Sequence, residues 1–358
     1  MIAESYLNAF EHAQRSIVSF LRAFEETQQS ILFADIKTAV TALRVNAGNS
    51  LINAAATLDS AAPPKSNQDL HREIRRLVNE LKNVQETVFG GGHWPEFATA
   101  FMSSRSRYCQ SLEILYRWRS DLPIVEPYFR LGDPHDLMSR EPHTNSNSEV
   151  GILHRERSAA HNHYSLYVPE YYDASKAWPL IVSLHGGYGR GDEYLWTWLR
   201  SARSRGYIVL SPNSRAQTWS IMQPSLDVGS ITSMMDEVCA IYTVDKSRIY
   251  LSGLSDGATF SYLLGLEHHE RFAAIAPIAG VLSATAGSML REGRGKDLPF
   301  HVVHGALDSI FPVQSARSIN KLLNSLGYNL TYTELPQWGH ALTYAINEQT
   351  VLPWFEQL

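Results

Sequence analysis

Three residues of this chain could carry nucleophilic chemistry together: Ser255, Asp308 and His340. Serine is a poor nucleophile until a base removes its proton, and the base needs an acid to orient it. Ser255 stands in Gly253-Leu254-Ser255-Asp256-Gly257. Asp308 follows in His304-Gly305-Ala306-Leu307-Asp308, and His340 in Trp338-Gly339-His340-Ala341. Gly-x-Ser-x-Gly alone is weak, because a turn joining two core elements can carry the same letters. The order Ser…Asp…His, with each residue just past an apolar run, is a second constraint.

These residues need elements that bring them to one place. Ile249, Tyr250 and Leu251 favour a strand before Ser255, and the apolar run from Ala258 favours a helix after it. A serine on so sharp a turn projects its hydroxyl clear of the sheet, and its neighbours must be small. The helix that follows aims its first N–H groups at the turn, which favours negative charge there. Strands are expected at 163–168, 180–184, 207–210, 248–252, 273–278, 300–304 and 329–335. Helices are expected near 191–205, 229–243, 257–268, 313–326 and 340–350. The strands from 180 on are mostly continuous apolar runs, which fits parallel strands covered on both faces. Asp308 and His340 then lie on the same sheet edge as Ser255. Upstream, Leu184-His185-Gly186-Gly187-Tyr188-Gly189 leaves a strand into a turn nearly stripped of side chains. Such a turn can offer a backbone N–H which, paired with that of Asp256, would hold an oxyanion.

Residues 2–120 read differently. Apolar residues recur at helical steps in four stretches, the second running from Ile36 through Val45 and Ile52 to Leu58. Four amphipathic helices with short connections predict an all-α helical bundle. Phe10, Phe20, Phe24 and Phe33 cannot all point into one narrow seam, so apolar surface should remain on this domain. Its expected role is a cap over the site or a surface for homo-oligomers. His12, His71 and His93 are too dispersed for a metal site. Residues 132–149 are polar and turn-rich, and they divide a helical domain at 1–131 from an α/β domain at 150–358.

The formal net charge of −5 leaves no basic footprint for nucleic acid. The two cysteines, Cys109 and Cys239, exclude a disulfide framework and a cysteine zinc site. No run approaches the roughly 18 apolar residues of a membrane span, and Met1-Ile-Ala-Glu-Ser-Tyr lacks the features of a signal peptide. The expectation is a soluble cytoplasmic protein with no metal, no cofactor and a small-molecule partner.

Residues 160–358 resemble the α/β-hydrolase superfamily. Within it they are similar to the feruloyl-esterase/polyhydroxybutyrate-depolymerase-like and phospholipase/carboxylesterase-like groups. The matching features are Tyr164-Ser-Leu-Tyr-Val-Pro169, Leu184-His-Gly-Gly187, Tyr242-Thr-Val-Asp245-Lys-Ser-Arg248-Ile-Tyr, Gly253-Leu-Ser-Asp-Gly257, His304-Gly-Ala-Leu-Asp308 with Pro312-Val313, and Gly339-His340. The resemblance implies an α/β-hydrolase fold with Ser255 as nucleophile, His340 as base and Asp308 as orienter. It also implies that the N–H groups of Gly187 and Asp256 form the oxyanion hole. The function expected is a serine carboxylic-ester hydrolase acting through an acyl-enzyme. An amide or peptide hydrolase, or an acyltransferase, would use the same residues. A binding protein on an inactive hydrolase fold is the alternative from another class. Asp256 departs from the Asn, Gln or Met of many relatives, and residues 1–130 have no counterpart in these groups.

Nearby residues have plainer readings. His185 is expected to brace its turn and His304 to serve structure. Glu334 lies in a strand and is the weaker candidate for the acid. Tyr188 and Trp338 are assigned to substrate, whereas Trp196, Trp198 and Trp219 are as readily core. Residues 281–298, with three glycines, look too short and flexible to wall off a pocket.

Overall fold

The computed structural model describes residues 4–32, 35–90, 94–132, 148–156 and 163–358. Phe33, His93 and most of the 132–149 segment lie outside them. The chain divides into two compact units, Met1–Arg130 and Leu131–Leu358.

The first unit is helical: α1 (Glu4–Ser30), α2 (Ile36–Ala47), α3 (Ser50–Ser60), α4 (Gln68–Gly90) and α5 (Trp94–Arg117). The single helix expected from Ile36 to Leu58 is two. Gly48 adopts φ 52°, in the left-handed region that suits glycine, and its N–H closes on the Arg44 carbonyl at 3.0 Å. That turn changes which residues face inward. Val45 and Ile52, expected on the apolar face, are exposed, while Leu43, Leu51 and Leu58 are buried. The expectation for the phenylalanines of α1 also needs correction. Phe10, Phe20 and Phe24 are all buried, with Phe24 4.8 Å from the ring of Tyr108. α1 packs against α2, α3 and α4 at once, so its buried stripe is wider than a two-helix seam.

The second unit is built on a sheet that, among the described residues, has eight strands in the order β1-β2-β4-β3-β5-β6-β7-β8. They are β1 (Gly151–Glu156), β2 (His163–Val168), β3 (Trp178–Leu184), β4 (Ile208–Pro212), β5 (Val244–Leu254), β6 (Ala274–Ile278), β7 (Phe300–Gly305) and β8 (Leu330–Leu335). β2 runs antiparallel to both β1 and β4, and the pairs from β4 to β8 are parallel. β1, at the sheet margin, has only Ile152 and Leu153 as apolar side chains before His154-Arg155-Glu156, too short an apolar run to mark it as a strand. β3, β4, β6 and β7 are buried along their whole length, as continuous apolar runs require.

The covering helices are α6 (Trp196–Arg205), α7 (Ser225–Ile241), α8 (Asp256–Glu267), α9 (Ala284–Arg291) and α10 (Val313–Ser325). A further helical segment closes the chain over residues 344–355. α9 overturns the expectation of a flexible 281–298. Ser283 caps it by accepting the Ala286 N–H at 3.2 Å, and Ala286 and Leu290 anchor it in the core. No described helix is long and apolar enough to cross a membrane. Because β3 to β8 run parallel, the segments that leave their carboxyl ends emerge on one edge of the sheet. Ser255, Asp308 and His340 come after β5, β7 and β8, and the Gly186–Gly187 turn comes after β3.

Candidate active site

Ser255 joins β5 to α8 with φ 59° and ψ −119°, in the region a non-glycine residue rarely adopts. Such a residue stores about 1–3 kcal/mol of strain and needs its surroundings to hold it. Its N–H donates to the Ile278 carbonyl at 3.0 Å, and its carbonyl accepts from Thr259 N–H at 2.9 Å. Its flanking residues have no room for a side chain. A Cβ on Gly253 would strike the carbonyl of Gly257, and one on Gly257 would strike the carbonyls of Leu184 and His185. The two glycines let the Ser255 turn sit directly on the end of β3.

The ring of His340 links two side chains far apart in the chain. Its Nε2 lies 2.8 Å from Ser255 Oγ and its Nδ1 lies 2.7 Å from Asp308 Oδ2. A carboxylate can only accept, so Nδ1 carries the proton and Nε2 is free to accept from the serine hydroxyl. Asp308 Oδ1 accepts from the N–H groups of Ile310 at 2.9 Å and Phe311 at 2.8 Å. Burial alone would raise this carboxyl. The His340 hydrogen bond and the two backbone donors outweigh it and hold the group below the usual carboxylate range.

Glu334 is engaged elsewhere. Both its oxygens accept from Arg317, at 2.6 and 2.9 Å, and Tyr332 OH donates at 2.9 Å. The arginine, and then the tyrosine, bring its carboxyl down to about 2. His304 does not approach Ser255 by hydrogen bond. Its Nε2 donates to the Phe311 carbonyl at 2.7 Å and comes within 3.4 Å of Asp308 Oδ2. Burial lowers its pKa, so the ring is neutral. His185 braces its turn: Nδ1 donates to the Gly186 carbonyl at 2.7 Å and Nε2 accepts from Ser214 N–H at 3.1 Å.

Gly187 and Asp256 come together. A Cβ on Gly187 would lie 2.6 Å from Asp256 Oδ2. Among the described residues, neither backbone N–H of this pair has an acceptor within the chain. The next amide in the turn is occupied, because Tyr188 N–H donates to the Gln217 carbonyl at 2.6 Å. Tyr188 is 71% exposed and Trp338 is half-buried. No hydrogen bond or ring contact joins either to the three central residues, among the described residues. Trp196, Trp198 and Trp219 are buried in the core. The described residues contain no group of three or more His, Cys, Asp or Glu able to hold a metal.

Sequence reasoning missed the 213–220 loop after β4. Thr218, Gln217 and Trp219 of this loop bond Asp256, Tyr188 and His185 respectively. No spacing announces these contacts, which exist because β4 lies beside β3 in the sheet.

The chain is similar to several known proteins over this unit. The Phospholipase/Carboxylesterase family model matches residues 210–349, a stretch that includes Ser255, Asp308 and His340. A probable feruloyl esterase C of Aspergillus niger is 26% identical over 185 residues, 49% of this chain and 66% of that protein. A bifunctional acetylxylan esterase/xylanase, XynS20E, of Neocallimastix patriciarum is 29% identical over 150 residues, 40% of this chain and 21% of that protein. The chain thus spans less than two thirds of the length of these curated relatives. Among solved structures, a thermostable esterase is 24% identical with a TM-score of 0.48, over 57% of this chain and 62% of that one. A ferulic acid esterase from Anaeromyces mucronatus, solved with ferulic acid, is 14% identical with a TM-score of 0.47, over 63% of this chain and 95% of that one.

Proposed function

We propose that the protein is a serine carboxylic-ester hydrolase with Leu131–Leu358 as an α/β-hydrolase unit, a reading supported by its mixed eight-stranded sheet and its similarity in sequence to esterases. The observation that carries the reading is the hydrogen-bonded chain Ser255–His340–Asp308, with the serine on a strained turn.

In this reading Ser255 Oγ attacks the ester carbonyl carbon while His340 Nε2 takes the hydroxyl proton. Asp308 keeps the imidazole in the right tautomer and stabilises its charged form. The carbonyl oxygen becomes an oxyanion, held by the N–H groups of Gly187 and Asp256 at the start of α8. Collapse of this intermediate breaks the bond to the alcohol, which leaves with the proton from His340. Ser255 is then acylated. Water repeats the sequence: His340 takes its proton, the hydroxide adds to the acyl carbon, and the acid leaves as Ser255 regains a proton. No step calls for a metal or cofactor. Tyr188 and Trp338 are proposed to touch the acyl or alcohol group, and the helical residues 1–131 to cover substrate or pair two copies.

The test is Ser255→Ala in the full chain, with p-nitrophenyl esters of rising acyl length and aryl esters as substrates. Loss of a triad nucleophile lowers turnover by about 10⁶-fold in the serine-protease precedent. A fluorophosphonate should label the native protein and not the variant. A pure Ala variant that keeps more than a few per cent of turnover would overturn the reading.

A further inference from the structure

The loop after β4 is fastened from two sides. On one side the buried carboxylate of Asp227, in the first turn of α7, accepts Arg215 N–H at 3.0 Å and Ser220 N–H at 2.8 Å. On the other side, Trp219 Nε1 donates to the His185 carbonyl at 2.7 Å and Tyr188 N–H donates to the Gln217 carbonyl at 2.6 Å. Thr218 lies between these fastenings. Its hydroxyl donates to Asp256 Oδ2 at 2.6 Å, a short bond typical of a charged acceptor. The same oxygen is the one a Cβ on Gly187 would meet at 2.6 Å. One carboxylate oxygen of Asp256, the residue after Ser255, therefore bonds the loop and fills the space that a side chain on Gly187 would need.

This arrangement answers an electrostatic difficulty. A carboxylate beside two amides that receive developing negative charge opposes that charge. A donor fixed on the carboxylate offsets part of its charge and locks its direction. It also holds the carboxylate oxygen in the space beside Gly187 that a Cβ there would fill. We propose that Thr218 is a positioning residue for the oxyanion hole, acting through the Asp256 side chain. This rests on the ester-hydrolysis reading above, since an oxyanion hole has meaning only for acyl transfer.

The hydroxyl bond would act on the transition state more than on substrate binding, so kcat is the sensitive quantity. Thr218→Val should lower kcat on a p-nitrophenyl ester by about 10- to 100-fold, the range expected when a catalytic donor is misplaced. KM should stay within about twofold and the melting midpoint within a few degrees. Thr218→Ser returns the hydroxyl and should recover kcat to within a few-fold, whereas Thr218→Ala should behave like Val. In an Asp256→Ala background, the Val change should have little further effect, because the bond it removes is already gone. The proposal is overturned if Val keeps wild-type kcat, if Val and Ser are equally impaired, if only KM moves, or if the Asp256 and Thr218 effects multiply. Should Val fail to fold, the Ala and Ser variants make the same distinction. An active Ser255→Ala protein would refute esterase catalysis itself, whereas a dead one beside a normal Thr218→Val would refute this inference alone.

Discussion

The buried imidazole of His304 reaches within 3.4 Å of the same Asp308 oxygen that bonds His340. His304 also holds the Phe311 carbonyl, and Phe311 N–H in turn bonds Asp308. The aspartate loop is thus closed on itself by a neutral histidine that makes no hydrogen bond to the serine. His304→Ala should loosen that loop and lower kcat roughly tenfold, the order expected from a small misplacement of the acid. His304→Gln can still donate to the Phe311 carbonyl and should recover most of the rate. Equal losses in Ala and Gln would show that the bond to Phe311 is not what matters.

Asp308→Asn should leave the fold intact and lower kcat by about 10²- to 10⁴-fold, because the imidazole loses control of its tautomer. Glu334→Gln should leave kcat within a few-fold, since Arg317 and Tyr332 already hold that carboxylate. Steady-state kinetics on both variants separate the two acids. The reverse pattern would mean that the orienting acid is Glu334.

Gly187→Ala places a methyl group 2.6 Å from Asp256 Oδ2. Either the carboxylate or the turn must move, and both belong to the proposed oxyanion hole. Turnover should drop by about 10²-fold, close to the loss of one oxyanion donor, with a much smaller change in KM. A Gly187→Ala protein with unchanged kcat would place the second donor at a different residue.

Stability should depend on His301, which is buried in β7 and bonds Thr333 Oγ1 at 2.9 Å. Burial pushes its pKa down from 6.5 to about 4. Between those values the unfolded chain binds a proton that the folded chain does not, so stability rises with pH across this window. The contribution is complete above pH 6.5 and is lost as pH falls to about 4; it amounts to at most ~3 kcal/mol. Denaturant midpoints of the native protein should fall over that range. In His301→Phe, which keeps an aromatic ring beside Trp354, the slope should flatten. An unchanged slope would assign the acid sensitivity to other groups.

Short-range rules governed the features that were legible in the chain alone. Strand, glycine-flanked serine and helix succeed one another within a dozen residues, and backbone crowding at Gly253 and Gly257 demands their size locally. Ser255, Asp308 and His340 were legible because each sits shortly after a strand, and parallel strands deliver their trailing loops to one edge. Three features were decided only by the tertiary structure. The break at Gly48 rotates α3 relative to α2, which no count of apolar residues across it can show. Glu334 and Asp308 are both acids near the strand ends preceding His340. Their different surroundings are visible only in the tertiary structure: Arg317 occupies one, and the Ile310 and Phe311 amides receive the other. The contact of Thr218 with Asp256 spans 38 residues and depends on the order β4-β3-β5 in the sheet. Periodicity reports which face of an element is buried, whereas the neighbours on that face are set by long-range pairing that a single chain's pattern does not encode.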